Sequence, residues 1–164
     1  MNNIISAIDK VLKISLIVML SAIILAVLWQ VLSRYLLQSP SSGSEEIARF
    51  LLIWISLLGG VYSYRMKMHL GLDVLVKKMP PKQEWASQIL CHLLVLAFSM
   101  SVLVVGGFNL VLLTFNPVQI SAALGIHMGY VYMVLPLSGI LMSFSALNEL
   151  LTTWQQRVPT TEVN

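Results

Sequence analysis

Titratable chemistry is scarce in this chain. The single cysteine, Cys91, allows no internal disulfide and no thiolate metal cage, so cysteine usage carries no message about redox compartment. The three histidines are His69 in a basic connecting segment, His92 near one end of an apolar run, and His127 near the opposite membrane face. They cannot meet, which excludes the axial pairs of a haem-binding bundle and leaves no metal or other cofactor to expect. No GxSxG, HExxH, CxxC or phosphate-cradling glycine loop occurs, so an enzymatic reading has no residues to stand on. Only 10% of residues are charged, against roughly 25% in a soluble domain. The net charge of +3 does not signal nucleic acid, because the basic residues gather at the ends of apolar runs instead of along one helical face.

What fills the chain is hydrocarbon. At 57% hydrophobic residues and a mean hydropathy of +0.83, it is too apolar for an ordinary globular protein. Apolar runs at about 14–37, 45–64, 86–113 and 128–151 are each long enough to cross a core of about 30 Å at about 1.5 Å per residue. The expected fold is an all-α membrane protein, a single domain over 1–164 with four transmembrane helices. The first run is too long for a signal peptide and lacks a convincing small-x-small cleavage site, so it reads as a retained anchor.

The stretch from Glu45 to Pro80 organises the rest. Ser42-Gly-Ser-Glu45 has capping-box spacing and predicts a helix start. Glu45 and Glu46 both reach Arg49 at helical spacing, and Arg34 at the outer end of the first run completes a charge-balanced cluster at one membrane surface. Ser56/Gly60 and Gly59/Ser63 give small-xxx-small pairs that predict close approach of another helix. In the first run Ala22, Ala26, Gln30 and Arg34 form one stripe that should face protein. Past Tyr64, segment 65–82 places His69, Asp73 and Lys77 on one face and Leu72, Leu75, Val76 and Met79 on another. That pattern predicts a short amphipathic helix lying in the interface, stopped by Pro80-Pro81. Residues 114–127 contain no Lys, Arg, Asp or Glu, so this loop should dip into the interface or lie against protein. Pro136 removes a bond to the carbonyl of Tyr132 and predicts a kink.

Orientation follows from Lys and Arg. An N-in, C-in arrangement puts Lys10, Lys13, Arg65, Lys67, Lys77, Lys78, Lys82 and Arg157 inside and only Arg34 and Arg49 outside. Trp85 and Trp154 would then mark the inner interface, and Tyr35, Tyr130 and Tyr132 the outer one. Trp29 and Trp54 lie deeper, either packing within the bundle or anchoring a partner membrane subunit. All seven acidic residues sit at span ends or beyond them, so no ionisable group occupies the middle depth.

The ordered features Ser33-Arg34-Tyr35, Glu45-Glu46-Ile47-Ala48-Arg49-Phe50, Trp54, Gly59, His69, Asp73 and Pro80 resemble the small membrane subunit (DctQ-like) of tripartite ATP-independent periplasmic (TRAP) transporters. Leu124-Gly125-Ile126, Tyr132 with Pro136-Leu137, and Leu141-Met142 are similar to that family's fourth span, so the resemblance covers nearly the whole chain. It implies sodium-coupled uptake of an organic acid, sialic acid or a C4-dicarboxylate, across the bacterial inner membrane. The implied partners are a large multi-span subunit carrying the substrate and cation sites, a periplasmic substrate-binding protein, and membrane lipid, with no nucleic acid. This chain would be a scaffold that holds no substrate. The outer cluster would either pin two spans together or help dock the binding protein. The alternative is a self-contained four-span protein, an adaptor or a homodimeric exporter, which would require an ionisable group deep in the bilayer.

Overall fold

The computed structural model describes residues 2–39, 41–66 and 80–155. The predicted in-plane helix, with His69 and Asp73, falls mainly in 67–79 and so lies outside the described residues. Four helical rods are long and apolar enough to cross a membrane, and no strand occurs among the described residues. The first, α1, runs over Asn2–Tyr35, so it begins well before the apolar run and takes in Asp9, Lys10 and Lys13. Helix α2 covers Ser42–Arg65. The third rod is α3 (Pro81–Phe98), a π-helical segment (Ser99–Gly106) and α4 (Gly107–Phe115). The fourth is a short α5 (Met128–Tyr132) followed by α6 (Val134–Gln155).

Helix α2 starts one residue earlier than the capping-box reading. Ser41 is the N-cap, its hydroxyl accepting from the Ser44 amide at 3.4 Å, while the Ser44 hydroxyl donates back to the Ser41 carbonyl at 2.9 Å. A serine thus fills the place assigned to Glu45, and that carboxylate is released for another partner.

The rods form an open row in the order first, second, fourth, third: α1 packs on α2, α2 on α6, and α6 on α3 and the π segment. Among the described residues no comparable contact joins α1 to the third rod. The fourth rod is the hub, with 39% of its most apolar window buried against 6% for the first and third. Its two sides are built differently. Toward α1 and α2, Leu12, Leu58, Val61 and Val134 form an apolar core flanked by Leu16, Trp54, Leu57 and Leu135. Toward the third rod, small residues let backbones touch. A Cβ on Gly139 would fall 2.8 Å from the Leu103 Cβ and 2.9 Å from the Val104 amide, and one on Gly107 would fall 3.0 Å from the Pro136 ring and nitrogen. The buried hydroxyls of Ser99 and Ser143 share a hydrogen bond of 2.8 Å across this seam. Without a hydrophobic drive in lipid, such close packing and interhelical hydrogen bonding hold helices together.

The fourth rod is interrupted at Met133, one residue past the carbonyl that the Pro136 ring must avoid. Next to this break the Trp54 indole donates to the Val131 carbonyl at 3.1 Å, tying α2 to the fourth rod. Trp54 is therefore a packing residue within the fold. Trp54→Phe should lower thermal stability by about 1 kcal/mol, the net worth of one hydrogen bond, in a detergent melt; an unchanged midpoint would show the bond to be immaterial.

The π segment has no counterpart in the sequence reading. At its start the Ser99 and Ser101 hydroxyls donate to the carbonyls of Leu96 and Ala97, competing locally with the helical ladder.

Candidate functional site

Two polar clusters mark the two ends of the rods. At the end carrying the α1–α2 turn, the predicted four-charge cluster divides. Arg49 donates to Glu45 at 3.0 Å, an i,i+4 pair with side chains 67% and 57% exposed. Glu46 turns instead toward the loop between the third and fourth rods and accepts from the amides of Ala123 and Leu124, both at 3.0 Å. Arg34, at the exposed end of α1, joins neither ion pair among the described residues. The physical reason is helix rotation: i+3 and i+4 place Glu46 and Glu45 within reach of Arg49, but only tertiary packing brings two loop amides to Glu46.

The loop that Glu46 holds has its own scaffold. Ile120 and His127 form an antiparallel bridge, the Asn116–Pro117 peptide is cis, and Gly125 adopts φ 66°, a conformation glycine accepts without strain. The ring of Phe115 packs edge-on to Tyr130 at 5.7 Å and lies over Gly129, where an added Cβ would meet it at 2.5 Å.

At the opposite end lies a cluster that sequence reasoning missed. The Arg65 guanidinium is paired with the Asp9 carboxylate and donates to the Ser145 hydroxyl at 2.8 Å, linking α1, α2 and α6. Its side chain is only 8% exposed and that of Asp9 24%. Beside it the Tyr64 hydroxyl and His92 Nδ1 are 2.7 Å apart, joining α2 to α3. The Trp85 indole donates to the Thr153 carbonyl at 3.1 Å with the Trp154 ring 6.0 Å away. In the sequence Arg65 stands only as a charge past the end of the second run and Asp9 as one lying before the first. Their common depth is the signal that could have paired them.

The remaining sequence candidates separate by exposure. Trp29 is 55% exposed on α1. Ala22, Ala26 and Gln30 are half-buried, whereas Arg34 at the end of their stripe is exposed. Gly59 makes only ordinary contact with Leu16, at 3.9 Å for an added Cβ, and Gly60 meets nothing within 4 Å. The small-residue face of α2 at Ser56 and Gly60 therefore does not serve the contacts within this chain; Gly107 and Gly139 do, with Pro136 seated on the former. Among the described residues no group of His, Cys, Asp and Glu could hold a metal ion.

Residues 23–156 match the family model described as tripartite ATP-independent periplasmic transporters, DctQ component. A TRAP transporter small permease protein of Haemophilus influenzae is 31% identical over 150 residues, covering 89% of each chain. The sialic acid TRAP transporter small permease protein SiaQ of Vibrio cholerae is 28% identical over 155 residues, 92% of this chain and 83% of that one. The sialic acid TRAP transporter permease protein SiaT of Haemophilus influenzae is 32% identical over 117 residues, 70% of this chain but 18% of its own length. With four helices long and apolar enough to cross a membrane and a family match across most of its length, the chain belongs to the DctQ family, the small permease component of tripartite ATP-independent periplasmic transporters.

Proposed function

We propose that this chain is the scaffold subunit of a secondary transporter importing an organic acid, of the sialic acid or C4-dicarboxylate class, together with sodium. A periplasmic binding protein delivers the substrate, and a large multi-span subunit holds the substrate and cation sites. This chain steadies that subunit in the bacterial inner membrane, with both termini on the cytoplasmic side.

The observation that carries the reading is the open row. Among the described residues helix α1 packs mainly on α2, leaving Trp29 and a long apolar surface outward, and the small-residue face of α2 is likewise uncovered. These are surfaces another membrane helix can use. The SiaT relative supports the same reading, because there the matching region is 18% of one permease polypeptide. A fused counterpart of that proportion fits a small chain working beside a large one.

Calorimetry on the purified chain should show no specific binding of sodium or organic acid, while co-expression with the large subunit should give uptake. Binding by the isolated chain would overturn the scaffold role. The exposed Glu45–Arg49 pair gives a second test, since such pairs contribute about 0–1 kcal/mol to a fold. Arg49→Glu should leave the chain's own melting unchanged yet lower uptake, and the swap E45R/R49E should restore part of it. Normal uptake by Arg49→Glu would remove this pair from the partner interface.

A further inference from the structure

The loop at 116–127 has no Lys, Arg, Asp or Glu, and Val118, Ile120, Ile126 and the adjoining Tyr130 are exposed. It joins the ends of two membrane-spanning rods, so its apolar surface continues theirs. Part of its backbone is served from within the chain. The amides of Asn116, Gln119, Ser121 and Gly125 bond to the carbonyls of Leu112, Thr114, Ile126 and Ser121, and that of Met128 to Gln119, at 2.8–3.2 Å. The two amides at the loop's tip, Ala123 and Leu124, donate to Glu46 of another helix at 3.0 Å, that of Leu124 also reaching the Ser121 hydroxyl at 3.3 Å. A loop in water has no need of this, since water would serve each donor. A loop in a poorly hydrated layer does, because every unmet amide there costs free energy.

We propose that segment 116–127 is seated in the lipid interface of the outer leaflet, and that Glu46 is the positioning residue that makes this possible by accepting the two tip amides. The occupant of its apolar surface is the glycerol and upper acyl region of phospholipid. This goes beyond the scaffold reading and rests on it only for the orientation that names the outer leaflet.

The test is spin-label accessibility on the full chain, with Cys91→Ser as background and Val118→Cys or Ile120→Cys labelled in liposomes of phosphatidylethanolamine and phosphatidylglycerol. Collision with oxygen should exceed collision with a water-soluble nickel chelate, giving a ratio within about twofold of a lipid-facing reference at Leu112→Cys. Adding Glu46→Ala should raise nickel accessibility by about threefold or more, with a smaller rise for Glu46→Gln, which keeps one acceptor. A nickel-dominated ratio like that of label free in buffer would overturn the lipid seat. So would occlusion from both reagents when the same labels are read in native membranes with the large subunit co-expressed, since protein would then cover the loop. An unchanged ratio in Glu46→Ala would overturn the role of Glu46, and Glu46→Gln checks that any change is not general unfolding.

Discussion

Arg65→Ala should destabilise the chain by about 2–4 kcal/mol, the largest effect expected of any side-chain truncation here. Breaking a fully buried ion pair typically costs about 3–5 kcal/mol because one charge is left desolvated and alone. The partial exposure of Asp9, at 24%, reduces that somewhat. The loss should be spatially uneven. Among the described residues helix α1 packs mainly on α2, and the Asp9–Arg65–Ser145 cluster links it through Arg65 to α6. Hydrogen exchange should therefore show lost protection concentrated in the first half of α1. Arg65→Lys should fall between, keeping the charge but not the fork that serves two acceptors at once. The double replacement D9N/R65M should recover stability relative to R65A, because neither partner is then a lone charge. A melt of Arg65→Ala indistinguishable from the natural sequence would show that the cluster is ornamental.

Gly139→Val should be comparably damaging for a steric reason. An added Cβ meets the Leu103 Cβ and the Val104 backbone below 3.0 Å, and a backbone amide inside a helix cannot retreat without moving the rod. Even alanine should cost about 1–3 kcal/mol through overpacking, and valine more. Gly60→Ala is the control with the opposite sign. It faces open space within the chain, so replacing glycine in a helix interior should stabilise by about 0.5–1 kcal/mol. In the assembled transporter a bulkier Gly60→Leu should reduce uptake even though the isolated chain tolerates it. That divergence separates packing within the chain from packing against a partner. Equal effects of Gly60→Ala and Gly139→Ala on the isolated chain would mean that the seam with the third rod is looser than described.

The family and the number of crossings were legible without a fold, because both are properties of local windows. An apolar run of a given length spans a given thickness whatever its neighbours, and the order of Arg34, the Glu45–Arg49 segment, Trp54 and Pro136 is itself linear information. The break near Pro136 was legible for the same reason: its cause lies within four residues. Pairings were another matter. Helical spacing pairs Glu45 with Arg49 at i+4 but also offers Glu46 to the same partner at i+3, because spacing within one helix cannot report a loop more than seventy residues away whose amides reach Glu46. Likewise the small-xxx-small motif at Ser56 and Gly60 says that a helix could approach there, while the approach within this chain occurs at Gly107 and Gly139, where no such spacing had been marked.

The sequence by itself determined that this is a DctQ-family chain with four stretches long and apolar enough to cross a membrane and its charges confined to their ends or beyond. Only the tertiary structure decided that the crossings lie in an open row with the fourth as hub, that Arg65 is buried against Asp9 and Ser145, and that Glu46 secures the loop between the third and fourth rods. The reason is geometric: hydropathy fixes how deep a residue sits, but which residue it meets at that depth depends on the rotation and order of helices around it.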